Sequence, residues 1–120
     1  MYLGIDLGTS GIKAVVIDEA GGLVAQTSVP LTVSNPQPLW SEQDPEEWWQ
    51  GLLLALGQLG QQIPLKSIRS MGLAGHMHGA TLLDQDGKIL RPCILWNDGR
   101  SYQECKELVE RCPDLHERSG

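Results

Sequence analysis

At 120 residues the chain is one domain at most, long enough to bury a real core, and its 41% hydrophobic and 20% charged residues describe a globular protein rather than a disordered or membrane-spanning one. No apolar run approaches the roughly 20 residues that cross a bilayer, and the N-terminus lacks the basic region and cleavage site of a signal peptide. A formal net charge of −6 disfavours broad contact with nucleic acid or anionic membrane, yet leaves room for a small phosphorylated ligand held by local N–H groups and a metal. Cys93, Cys105 and Cys112 form no C-x-x-C pair, so reduced thiols and a cytoplasmic location are expected rather than a disulfide framework.

Tyr2 to Leu7 is a β-rich apolar run broken by one carboxylate, Asp6. Gly8-Thr9-Ser10-Gly11 reverses the chain, and in Ile12 to Ile17 only Lys13 is polar, so the start reads as a hairpin. Glycines allow backbone N–H groups to crowd around an anion, and the Thr9 and Ser10 hydroxyls suit phosphate oxygens. Asp6, at the strand end, is placed to hold a hydrated Mg²⁺. These residues equally suit an ordinary turn preceded by a capping acid. What favours the phosphate clasp is the cost of a charge within β-apolar sequence. The turn is neither a Walker A loop nor a G-x-G-x-x-G fingerprint.

Asp18 to Gly22 is a second turn, and Leu23 to Leu31 alternates as a third strand. Leu23, Ala25, Thr27 and Val29 share one face and Val24, Gln26 and Ser28 the other, which completes an antiparallel meander. Ser34 to Gln43 is an extended loop. Asp44-Pro45-Glu46-Glu47 then opens a helix, with Asp44 as cap and Pro45 at the first helical position. Trp49, Leu52, Leu53, Leu56, Leu59 and Ile63 recur at helical spacing and are expected in the core. Pro64 ends the helix, and Ile68 to Gly75 reads as a strand returning to the sheet, an α/β arrangement. Ala80 to Leu83 and Lys88 to Leu90 flank a turn at Asp84 that echoes the one at Asp18 and predicts a second hairpin. Ile94 to Trp96 is a short apolar run. From Ser101 a last helix carries Tyr102, Cys105, Leu108, Val109 and Cys112 on one stripe, Pro113 closes it, and no element is expected beyond.

Two polar blocks follow predicted strands. His76-Met77-His78, between Gly75 and Gly79, stands where ligands collect at strand ends, although both imidazoles also suit nearby backbone partners. Zinc is disfavoured because a third ligand is lacking. Trp96-Asn97-Asp98-Gly99-Arg100 offers an aromatic face for carbons and polar tips for hydroxyls, as a polyol requires; alternatively Asp98 caps the following helix and Trp96 fills core.

Taken together, GIDLGTSGIKAVVID, LWSEQDPEEWW, GLAGHMHGATLLD and RPCILWNDGR resemble the N-terminus of the FGGY carbohydrate kinases over essentially the whole chain. The first block is shared across the wider sugar kinase, heat-shock and actin superfamily. Met77-His78 and WNDGR are more specific, since glycerol kinases place an Arg-Glu pair at the former. The resemblance implies a ribonuclease-H-like (actin-like ATPase) α/β domain, its mixed sheet opening with the meander and incomplete in this chain. It implies ATP and Mg²⁺ as cofactors and a ketose as substrate, D-xylulose ahead of another pentulose or gluconate. Asp6 would act near metal and transferring phosphate, and Gly8, Thr9 and Ser10 would bind phosphate. Met77 and His78 would contact the ketose, with Trp96, Asn97, Asp98 and Arg100 lining the sugar pocket. Residues 1–120 would be the N-terminal part of the first, sugar-binding domain. The catalytic base and the second, ATP-binding domain would lie beyond Gly120, so the chain alone is expected to be inactive. Sheet edges and helix faces meant for the remainder would favour self-association, leaving a homo-oligomer open. A non-kinase actin-like ATPase would share the first block but has no need of Met77-His78 or WNDGR. A ribonuclease-H-like nuclease would need more clustered carboxylates than Asp6 alone.

Overall fold

Alternation of buried and outward-facing residues along the first two strands builds the sheet. In the computed structural model, which describes residues 1–119, β1 (Tyr2–Gly8), β2 (Gly11–Ile17) and β3 (Leu23–Pro30) form the expected antiparallel meander. Leu3 and Ile5 of β1, Ile12, Ala14 and Val16 of β2, and Ala25 and Val29 of β3 are all buried on one face. Ala55, Leu59 and Ile63 from α1 (Pro45–Gln62) and its C-terminal cap close that face into a single core. The strand returning after the helix, β5 (Ser70–Gly75), pairs parallel with β1, giving a four-stranded sheet in the order β3-β2-β1-β5. Parallel neighbours need a long crossover, and α1 supplies it.

The helix starts as its residues require. The Asp44 carboxylate accepts the Glu46 N–H at 2.9 Å, Pro45 occupies the first turn, and Glu46 and Glu47 lie at the positive end of the dipole. Of the expected stripe, Leu59 and Ile63 are buried and Leu52 and Leu56 pack against the core, while two members turn away from it. Gly51, Ala55 and Leu59 are buried, whereas Trp49 and Leu53 stand 55% and 46% exposed. Small residues at the four-residue spacing let the helix approach the sheet, and this rotates the larger side chains to its flank. Trp49 there lines, with Ile5, Leu7, Trp48 and Leu73, an open apolar groove of about 370 Å³.

Beyond Gly75 regular structure thins. Short β4 (Glu42–Gln43) pairs antiparallel with β6 (Cys93–Ile94), so the short run expected over 94–96 forms its ladder one residue earlier. The predicted hairpin around Asp84 is reduced to one isolated bridge, Leu83 to Ile89, because no layer covers its side chains. α2 (Tyr102–Arg111) forms as expected, with its whole surface exposed. A short α3 (Leu115–Ser119) follows where no element was expected, held partly by the Asp114–Arg118 pair one turn apart. Among the described residues no helix is long and apolar enough to cross a membrane.

Candidate functional site

The turn between β1 and β2 consists of Thr9 and Ser10, and neither takes a positive φ. Its flanking glycines serve close approach rather than left-handed backbone. A Cβ on Gly11 would come within 2.6 Å of the Val29 carbonyl oxygen of β3. Three bonds hold the turn from outside. Gln43 Nε2 donates to the Thr9 carbonyl at 2.8 Å, the Leu31 N–H donates to the Ser10 carbonyl at 3.1 Å, and Trp96 Nε1 donates to Thr9 Oγ1 at 3.3 Å. Because the Thr9 hydroxyl accepts from the indole, its own proton remains to be given outward.

Asp6 stands on the sheet face opposite the core, directly across from Lys13 on β2 and beside Ala74 on β5. Among the described residues its exposed carboxylate makes no ion pair or side-chain hydrogen bond. A free carboxylate near a turn whose Thr9 and Ser10 carbonyls are both tied back fits a hydrated divalent cation accompanying phosphate.

The two imidazoles after β5 part company. The His76 N–H extends the β1–β5 pairing by donating to the Leu7 carbonyl at 2.9 Å. Its ring turns inward, edge to face with Trp48 at 5.1 Å, and both ring nitrogens are buried without a partner among the described residues. The nearby-backbone partners that the sequence allowed His76 are thus not made. His78 takes a left-handed φ of 68°, and both Met77 and His78 are exposed. A non-glycine residue held there stores strain of the kind found at binding turns.

The block at 96–100 docks on the loop at 39–43. The Ser41 N–H donates to Asp98 Oδ2 at 2.6 Å, its hydroxyl donates to Asn97 Oδ1 at 2.9 Å, and the Leu95 N–H donates to the Ser41 carbonyl. Arg100 grips both Asp98 oxygens at 2.7–2.9 Å, reaches Glu42 Oε2 at 2.8 Å, and lies 3.7 Å above the Trp40 ring. The Asp98 side chain is only 2% exposed and that of Arg100 13%. The Arg100 guanidinium holds the Asp98 carboxyl well below the usual carboxylate range, overcoming burial, with the Ser41 and Arg100 N–H groups assisting. Asp98 in turn raises Arg100 further above its ordinary value, Glu42 assisting. Asp98 and Arg100, expected on the sugar wall, thus have their charged groups committed to each other. Asp98 does not cap α2 either: that position belongs to Ser101. Trp96 is 62% exposed rather than core, and through its bond to Thr9 this block meets the turn between β1 and β2.

Sequence reasoning passed over Ser41, Glu42 and Gln43, all buried polar residues. Their signal was their setting: three successive polar residues directly before a strong helix start, at the end of the extended loop.

The mixed sheet thus carries a free strand-end acid at Asp6, a hydroxyl turn at Thr9 and Ser10, and an aromatic-polar block at 96–100 docked on the loop before α1. The family model described as "FGGY family of carbohydrate kinases, N-terminal domain" matches residues 1–120, and the chain belongs to that family. It is 57% identical over 120 residues to the xylulose kinase of Escherichia coli (strain K12), covering 100% of this chain and 25% of that one. A xyloylose kinase from Brucella ovis superposes with a TM-score of 0.87 at 52% identity, over 92% of this chain and 24% of that one. The xylulose kinase from Rhodospirillum rubrum gives 0.84 at 33% identity, over 91% and 23%. The chain spans about a quarter of the length of the curated xylulose kinases it matches. Its fold is that of the actin-like ATPases, as expected.

Proposed function

We propose that this chain forms, within a full-length kinase, the N-terminal part of the sugar-binding domain. The whole protein transfers the terminal phosphoryl group of ATP to D-xylulose, giving D-xylulose 5-phosphate. The observation that carries the reading is the bond from Trp96 to Thr9, which brings a sugar-suited block against a phosphate-suited turn across 87 residues of sequence. The similarity to xylulose kinases over the whole chain supports D-xylulose ahead of other sugars.

Bound Mg²⁺ with ATP supplies an activated phosphoryl group and neutralises its developing charge. Asp6 would hold the metal through water, and Thr9 and Ser10, beside Gly8, would donate to phosphate oxygens. Met77 and His78, presented outward on their strained turn, would hold the ketose, with the open indole of Trp96 against its carbons and Asn97 near its hydroxyls. Asp98 and Arg100 serve that wall indirectly by fixing the loop that carries Trp96. The proton acceptor for the sugar hydroxyl lies outside these residues, so the cleft is built from this segment and others.

Steady-state kinetics of the full-length kinase test the assignment. Asp6→Ala is expected to lower kcat by about 100-fold or more with little change in sugar affinity, because it acts on metal and phosphate. His78→Ala is expected to do the reverse, weakening sugar binding first. An unchanged rate for Asp6→Ala would remove the acid from the mechanism.

A further inference from the structure

Among the largest fully buried side chains, beside Ile12, Leu59 and Val16, stands one amide, Gln43, at 1% exposure. Burying a carboxamide is unfavourable unless its groups are bonded, and here they are. Nε2 donates to the Thr9 carbonyl at 2.8 Å and to the Thr32 carbonyl at 3.2 Å, while Oε1 accepts from Trp48 Nε1 at 3.2 Å. An indole nitrogen can only donate, so Trp48 dictates which end of the amide is oxygen and turns its N–H groups toward the two carbonyls. Trp48 itself rests on the His76 ring, and the His76 N–H is bonded to Leu7, two residues before the turn.

The consequence falls on the Thr9–Ser10 peptide. A trans peptide is planar, with its C=O and N–H pointing in opposite directions. Drawing the Thr9 carbonyl inward onto Gln43 therefore turns the Ser10 N–H outward, away from the core. Two-residue hairpin turns normally take positive φ, and Thr9 and Ser10 have none, so beyond the Gly8–Gly11 pairing the orientation of their shared peptide draws on ties from outside the turn. We infer that Gln43 is a positioning residue for the phosphate turn, its carboxamide setting the Thr9–Ser10 peptide so that the Ser10 N–H is presented to the transferring phosphate. The inference rests on the reading that this turn receives the phosphates of ATP.

The test uses the full-length kinase and separates the two substrates. Gln43→Met keeps length and packing but removes both donors. It is expected to lower kcat/KM for ATP by about tenfold or more, while D-xylulose affinity, measured calorimetrically without nucleotide, stays within about twofold. Equal losses for both substrates, as a purely structural role would give, or no loss for ATP would overturn the inference. Trp48→Phe keeps an aromatic ring beside His76 and removes the indole N–H with the rest of its five-membered ring, and it decides the matter if Gln43→Met fails to fold. It is expected to lower kcat/KM for ATP by about threefold at constant sugar affinity, and unchanged ATP use would overturn the inference. Thr9→Val and Asp6→Ala separate the two levels. If these leave ATP use intact, the phosphate reading itself fails and Gln43 falls with it; if they weaken it while Gln43→Met and Trp48→Phe do not, only the Gln43 inference falls.

Discussion

Asp18 and Asp84 make the same turn. Each carboxylate accepts the N–H two residues on at 2.9 Å and the N–H four residues on at 2.8 Å, and each turn carries a glycine with positive φ, Gly21 at 84° and Gly87 at 79°. The first joins strands of seven and eight residues, whereas the second joins segments that meet at one bridge. The difference lies in what covers them. Val16 and Ala25 beside the first turn are buried in the core that α1 closes, while Leu82, Leu83 and Leu90 beside the second are 49%, 53% and 61% exposed. Turn chemistry reverses the chain in both places, but ladders extend only where alternation finds a layer to bury against. The molecule divides accordingly into a sheet-and-helix region held by apolar burial and a distal region held by polar ties.

The largest effect that separates these regions is expected at Arg100. Arg100→Met removes the cation between Asp98 and Glu42 and leaves two carboxylates facing each other with little access to water. That should cost the docking of residues 95–100 about 2–3 kcal/mol. Hydrogen exchange on the full-length kinase should show lost protection at the Ser41 and Leu95 amides and none at Leu3 or Val16. Equal loss in the sheet would mean that the two regions unfold as one.

A smaller effect follows from acid. Asp98 has a folded pKa below its unfolded value, so its ionisation stabilises the docked loop above the ordinary carboxylate range, and this contribution is lost as pH falls toward the lower folded value. Protection of the Ser41 amide should therefore hold down to about pH 4 and decline below it. Asp98→Asn should weaken protection at neutral pH and flatten the decline. A protection profile that begins to fall near pH 6 would assign the acid response to another group.

How much of this was readable in the sequence follows the same division. The meander, the helix and the returning strand were legible because their hydrophobic periods are long and their caps and turns agree with them. Of the expected α1 stripe, Trp49 and Leu53 fall outside the core because Gly51 and Ala55, which periodicity counts for little, take the buried positions. Thr9 and Trp96 were each legible as motif members, but the bond between them depends on a loop docking that only the tertiary structure contains. Asp98 and Arg100 looked free for a ligand because the third member of their cluster, Glu42, lies 58 residues from Arg100. Gln43 was invisible for the same reason: neither carbonyl it serves is a sequence neighbour.

The smallest expected effect gives the cleanest comparison of the two turns. A Cβ added at Gly21 or at Gly87 would meet nothing within 4 Å, so in both Gly21→Ala and Gly87→Ala the penalty is that of positive φ alone, about 1 kcal/mol. The local cost is equal, and what differs is how far it spreads. At Gly21 the strained turn is continuous with the β2–β3 ladder and the core beneath it, so hydrogen exchange should quicken along both strands. At Gly87 the strain can be relieved by opening the single bridge, and only the Asp84 and Leu90 amides, bonded to Lys88 and Leu82, should lose protection. If Gly87→Ala instead quickens exchange in the β4–β6 ribbon or the sheet, residues 80–90 are coupled to the site through Ala80, which bridges to Ile94. Polar ties would then transmit strain as far as apolar burial does, and the boundary between the regions would have to move.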